Sequence, residues 1–161
     1  MIAAAPSLED RIPGAQFLGL ITSKENTYFE RAFAALGVTP EDRKATLDEP
    51  ATTRFISLMR GAALSGKLHV MLAVLVVAEW SYFEWADRVT PAPDLPFYFQ
   101  EWIDLHRGAY FSSVVAYLRN LLDGLDLSDV ERNEARDAFL AAVKNEGDFW
   151  AMAAAAASST K

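Results

Sequence analysis

Apolar residues along this chain recur every three or four positions, and that spacing predicts helices almost throughout. Tyr28, Phe29, Ala32, Phe33 and Leu36 form one stripe. Ahead of it, Thr22-Ser23-Lys24-Glu25 has the form of a capping box, a hydroxyl followed three residues later by an acid. Gly37 ends that helix, and Thr39-Pro40-Glu41 opens another with proline in its first turn. Pro50 starts a further helix with Phe55, Leu58, Met59 and Ala62 on its inner face. Gly66 separates it from a long helix of about Lys67 to Val89, whose run Val70 to Ala78 reads as the buried part of a core helix. Pro91, Pro93 and Pro96 enforce a connector. A short helix around Gln100 to His106, a break near Gly108 and a helix from Ala109 to Asp123 follow. Ser128-Asp129-Val130-Glu131 is a second capping box, opening a last helix that runs to Ala153–Ala157 before a frayed Ser-Ser-Thr-Lys end. No stretch alternates with period two, so the expected fold class is all-α, packed as a helical bundle.

Composition narrows the function. The 161 residues make one domain, with 52% hydrophobic and 23% charged residues, as in an ordinary globular protein. A net charge of −7 without any basic run argues against nucleic acid and against anionic membrane surfaces. There is no cysteine, so no disulfide, thiolate nucleophile or cysteine metal site can form. With only two histidines, His69 and His106, no metal is expected. His69 reads as a partly buried structural residue, and His106 as a surface or helix-end cation. The start lacks a positive n-region and an apolar core, and the Val70–Ala78 run is too short to span a bilayer. A cytoplasmic location is expected.

Chemistry concentrates in two distant segments, Ala78-Glu79-Trp80-Ser81-Tyr82-Phe83-Glu84-Trp85 and Asn145-Glu146-Gly147-Asp148-Phe149-Trp150-Ala151-Met152-Ala153. Helical neighbours three and four apart share a face, so Glu79 lies beside Tyr82 and Phe83, and Glu146 beside Phe149 and Trp150. Carboxylates among aromatic rings are desolvated, and such groups cluster at functional sites. At about 100° per residue, Glu79 is about 60° from Tyr82, whereas Glu84 points about 200° away from it. The expected site therefore contains Glu146, Glu79 and Tyr82, with Glu84 on another face. The acids Glu41, Asp42, Asp129 and Glu131 read as helix N-terminal charges.

These segments carry a resemblance. Ala78 to Glu84, with Trp80, Tyr82 and Glu84, resembles the TenA (thiaminase II) family helix Pro-Cys-x-Trp-x-Tyr-x-Glu. Phe99-Gln100-Glu101-Trp102-Ile103-Asp104-Leu105-His106 with Phe111 is similar to its Tyr-x-x-Trp-Ile-Asp-x-Tyr…Phe block. Glu146-x-x-Phe149-Trp150-x-Met152-Ala153 is similar to its terminal helix. Order and spacing agree across all three. The resemblance implies a heme-oxygenase-like helical bundle, a homotetramer, and hydrolysis of thiamin or its aminopyrimidine breakdown products in pyrimidine salvage, without a cofactor.

Two departures shape the expected mechanism. The family's catalytic cysteine falls on Ala78, which closes a covalent route and points to the cysteine-less branch that relies on a glutamate. Its pocket tyrosine falls on Phe99, with Tyr98 adjacent, and a later tyrosine falls on His106. The family also has helices before the segment that begins here, including a carboxylate that holds the aminopyrimidine. Residues 1–22 read as the tail of one such helix and the loop after it, leaving the bundle shortened and its apolar faces to be covered by another copy.

The expected chemistry is general acid–base. Glu146 hydrogen-bonds the pyrimidine amine and ring nitrogen and passes a proton to the leaving amine. Glu79 activates water, Tyr82 donates to developing charge, and Phe149 and Phe99, with Tyr98 nearby, bind the flat ring. Trp80, Trp102 and Trp150 read as core filling. Two alternatives stand beside this: a non-catalytic small-ligand (pyrimidine) binder on the same fold, and a di-metal carboxylate oxidase, which would need Glu-x-x-His pairs that the sequence lacks.

Overall fold

The computed structural model describes residues 1–159. Eight α-helices account for most of it: α1 Leu8–Leu20, α2 Asn26–Ala35, α3 Pro40–Ala45, α4 Pro50–Leu64, α5 Leu68–Arg88, α6 Phe97–Leu105, α7 Gly108–Asp123 and α8 Asp129–Ser159. Among the described residues there is no strand. The all-α expectation holds, and most boundaries fall where the sequence puts them. Thr39 and Asp42 close a full capping box over α3, and Pro50 sits in the first turn of α4. Ser128 and Glu131 form the reciprocal cap of α8. At Gly37, φ is +70°, and Val38 N–H reaches back to the Phe33 carbonyl, the six-to-one bond that terminates α2.

Central to the bundle is α5, which packs against α8, α7 and α4. A helix enclosed on several sides needs apolar residues all round, which explains the unbroken run from Val70 to Ala78. Helix α5 as a whole is long and apolar enough to cross a membrane by length and composition. Its Leu72 and Val76 meet Phe111, Val114 and Leu118 of α7, while Met71, Val74 and Val77 meet Ala62 and Ala142. Leu118 is 0% exposed. Leu118→Ala is expected to destabilise the fold by about 3 kcal/mol, through lost burial and the cavity left behind. Chemical denaturation reads this as a lower midpoint at an unchanged slope.

The first twenty residues differ from expectation. Rather than a helix tail and a loop, they form a 3₁₀ turn, Ile2–Ala4, and the thirteen-residue α1. Ser7 starts it, accepting the Asp10 N–H at 3.1 Å. Pro13 lies inside the helix and obscures it in the sequence, because proline forfeits a backbone bond and crowds the preceding turn. Tertiary contacts offset that cost. Gly14 brings α1 so close to α7 that a Cβ there would meet the Tyr117 hydroxyl at 3.1 Å. The same hydroxyl donates to the Asp10 carbonyl at 2.6 Å.

Nor does a new helix start at Thr22. Helix α1 runs on through a π turn, Ile21–Glu25, directly into α2. The Asn26 N–H donates to the Ile21 carbonyl, five residues back. Because the backbone is already helical, the hydroxyls have no free N–H groups to cap. Thr22 donates instead to the Leu18 carbonyl (2.9 Å) and Ser23 to that of Gly19 (2.6 Å). At the other end, Ser158 and Ser159 continue α8, while the fraying expected at Thr160 and Lys161 lies outside the described residues.

Candidate functional site

A cavity of about 370 Å³ opens between α1, the π turn, α4, α5, α6, α7 and α8. Helix α5 contributes Ala78, Glu79 and Tyr82, which the helical repeat places on one face. Helix α8 contributes Glu146, and α6 contributes Trp102, Leu105 and, just past its end, His106. Phe55 and Met59 of α4 and Phe111 of α7 supply apolar wall. Glu84, by contrast, does not line it. It accepts the Trp80 indole N–H at 3.2 Å and pairs with Arg88, and these contacts hold its carboxyl below the ordinary range.

The residues proposed from sequence divide into two groups. Glu146, Glu79 and Tyr82 are brought together at this cavity. Phe149, Phe99 and Tyr98 are not among the residues lining it. On α8, Trp150 lies about 40° from Glu146 and Phe149 about 60° to the other side. It is the Trp150 ring that packs at 5.2 Å from Tyr82 and 5.6 Å from Trp85. On α6, Phe99 is nearly in phase with His106 but about 10 Å away along the axis, and it is 54% exposed. Tyr98 rests against Phe97 and Phe99, and its carbonyl accepts the Tyr28 hydroxyl at 2.8 Å.

Electrostatics single out the carboxyls. Glu146 is 4% exposed, and neither of its carboxyl oxygens has a hydrogen-bond partner of good geometry. Burial pushes it up to about 7, with the Trp150 indole acting weakly in the opposite direction. Burial pushes Glu79 higher, to about 8, reinforced by the charges of Glu25 and then Glu146. Burial is the main cause for both; neighbouring acids add to the rise of Glu79, and the indole opposes that of Glu146. Tyr82 rises to about 12 by burial and by those same carboxylates, so its hydroxyl stays a donor at any physiological pH.

His106 corrects the expectation of a surface cation. It is 7% exposed, packs 4.2 Å from Trp102 and 4.9 Å from Tyr82, and burial lowers its pKa. Its Nδ1 lies 2.7 Å from the Trp102 carbonyl, which can only accept, so Nδ1 carries the proton and Nε2 keeps its lone pair. Glu25 is the second site residue the sequence reading passed over. It lines the cavity, and burial raises its pKa too. In an uninterrupted α-helix Glu25 would sit about 80° from Phe17; the extra residue of the π turn removes about 100° and aligns the two. Only the misread capping box hid this residue. Among the described residues, no three His, Cys, Asp or Glu side chains are grouped to hold a metal ion.

The chain is thus an all-α bundle with acids and aromatic rings gathered at one cavity. Over residues 2–156 the chain matches the TENA/THI-4/PQQC family, and it belongs to that family. Its fold is the heme-oxygenase-like bundle that the motifs implied. An aminopyrimidine aminohydrolase of Halalkalibacterium halodurans is 32% identical over 129 residues, covering 76% of this chain and 57% of the relative. One of Bacillus subtilis is 32% identical over 127 residues, covering 76% and 53%. The chain thus spans about half the length of the curated relatives it matches.

Proposed function

We propose that this protein hydrolyses a thiamin-related aminopyrimidine at the methylene carbon of its aminomethyl arm; two of its relatives are named aminopyrimidine aminohydrolases. The observation that carries the reading is Glu146, buried and unpartnered, at a cavity shared with Glu79 and Tyr82. A buried carboxyl without partners costs free energy that a ligand amine and ring nitrogen would recover. Glu146 would hold those two groups and pass a proton to the departing amine. Glu79 would take the proton of a water whose oxygen attacks the methylene carbon. The C–N bond breaks as the C–O bond forms, giving a hydroxymethylpyrimidine and ammonia. Tyr82 donates to the charge that develops. With Ala78 in place of a nucleophile, no covalent intermediate is needed.

For the ring, aromatic wall from Tyr82, Trp102 and His106 replaces the Phe149, Phe99 and Tyr98 expected from sequence. The described chain would act as a single helical domain in the cytoplasm. The test is turnover: incubation with an aminomethyl- or formylaminomethyl-pyrimidine, following the hydroxymethyl product beside a binding titration. Product formation supports the hydrolase. Binding without product makes the protein a pyrimidine binder on the same fold.

We also propose a homo-oligomer, a tetramer by the resemblance. Leu36, Leu47 and Leu64 are 56%, 88% and 87% exposed, and Phe29 of α2 is 38% exposed. Apolar side chains left in water favour self-association. Sedimentation is expected to give a species larger than one chain at micromolar concentration; a well-behaved monomer would contradict this.

A further inference from the structure

Three side chains that line the central cavity also line a second cavity outside it. Leu20, Leu105 and Phe111 border both. The outer cavity, about 380 Å³, is otherwise walled by Gln16, Lys24, Asp104, Arg107 and Tyr110, and Tyr110 is 48% exposed. Leu105 borders a third space as well, about 470 Å³, between the π turn, α2 and α6. A partition one side chain deep therefore separates the acids from a polar vestibule. Its members are not equally fixed. Phe111 is 3% exposed, belongs to the core with Leu72, Val114 and Leu118, and stands 5.1 Å from His106. Leu20 and Leu105 are half-buried, and each is the last residue of its helix. After Leu20 the backbone leaves α geometry for the π turn. After Leu105, His106 and Arg107 leave helical geometry and Gly108 takes a φ of +80°. The ties of α6 to α2 lie further back, at the Tyr28 hydroxyl on the Tyr98 carbonyl (2.8 Å) and the Arg31–Glu101 ion pair. The last turn of a helix holds carbonyls without intrahelical donors, so a side chain there shifts at small cost.

We propose that Leu105, with Leu20, is the gate through which a small ligand passes from this vestibule to the acids, and that Phe111 is the fixed post it closes against. An apolar partition suits the role. It shields the buried Glu146 from the vestibule while offering a passing ring no polar group to hold it. Passage between two leucines is set by width, so a flat ring moves through edge-on and a bulkier ligand is held back. This gate is independent of the chemistry inside, and the aminopyrimidine reading enters only through the ligand used to test it.

The hydroxymethyl-aminopyrimidine, which has no amine left to lose from its arm, is mixed with the protein in a stopped-flow fluorimeter. Tryptophan emission supplies the signal, because Trp102 lines the cavity. A gate open for about a tenth of the time slows entry and exit alike, by about tenfold. Leu105→Ala is therefore expected to raise the association and dissociation rate constants together, by up to about tenfold, so that their ratio moves less than either. Leu105→Phe should lower both. Leu20→Ala reads the same partition from α1 and should act in the direction of Leu105→Ala, which keeps the test intact should the α6 variant fold poorly. Loss of a binding contact alone would raise dissociation and leave association unchanged. That result, or rate constants that answer to neither leucine, overturns the gate and sends the ligand past Met59, 40% exposed on the α4 wall, with the aminopyrimidine reading standing. No binding by the unmodified protein overturns both.

Discussion

Glu146→Gln is expected to lower turnover of the aminopyrimidine by about 10² to 10⁴ and to weaken its binding, because one side chain serves both steps. Glutamine keeps the shape and one acceptor oxygen, but it cannot give up a proton near neutrality, nor can it match a ring edge that offers both a donor and an acceptor. The steady-state signature is a fall in kcat with a rise in KM. Glu84→Gln is the control on α5. Its carboxylate is occupied by Trp80 and Arg88 and lies off the cavity, so turnover should barely change. Equal, mild effects from both substitutions would remove Glu146 from the chemistry.

Glu79→Gln should lower kcat by a similar factor, yet make the unliganded protein more stable at alkaline pH. Glu79 titrates at about 8 in the folded state, against 4.5 for an unperturbed glutamate. The folded state therefore binds a proton more tightly than the unfolded chain. Stability associated with that proton is complete below about pH 4.5 and is lost as pH rises through 8. Glu146, raised to about 7, adds a loss in the same direction over a narrower window. His106 works the other way on the acid side, since its depressed pKa makes charging it in the fold unfavourable. An amide at position 79 stays neutral throughout. At pH 9 the variant should exceed the parent by roughly 2 to 4 kcal/mol, and at pH 5 the two should converge. Denaturation at the two pH values reads this directly; a parent whose stability is flat from pH 5 to pH 9 would show that Glu79 is solvated. In turnover, the apparent pKa values belong to the coupled pair rather than to either residue.

How much of this was legible in the chain depended on whether the cause was local. Gly37, Pro50, and the caps at Thr39 and Ser128 act within one turn, so their helices were readable to within a few residues. Periodicity placed Glu79 and Tyr82 on one face and Glu84 off it, which the cavity reflects. What escaped was set at long range. Phe99 shares an angular position with His106 but not its depth, and a helical projection discards depth. Residues 1–22 read as a helix tail and a loop, whereas the close approach of Gly14 to Tyr117 sustains α1 in spite of Pro13. Glu25 looked like a cap because Thr22 stands three residues before it. Only a helix already running through Leu18 and Gly19 makes that cap impossible.

That continuity makes the spacing between Phe17 and Tyr28 a matter of phase. Helix α1 is keyed to α7 at Gly14 and Tyr117, while α2 is keyed to α6, where Tyr28 stacks on Trp102 at 5.5 Å. The two docking faces are out of step, and the supernumerary residue at the π turn is the vernier that reconciles them. Deleting Lys24 would change no residue of the cavity, yet it would rotate one half of this long helix by about 100° against the other. Either the anchor at Tyr117 or the one at Trp102 must then let go. Here a gap length, more than any one side chain, is what inheritance has to keep.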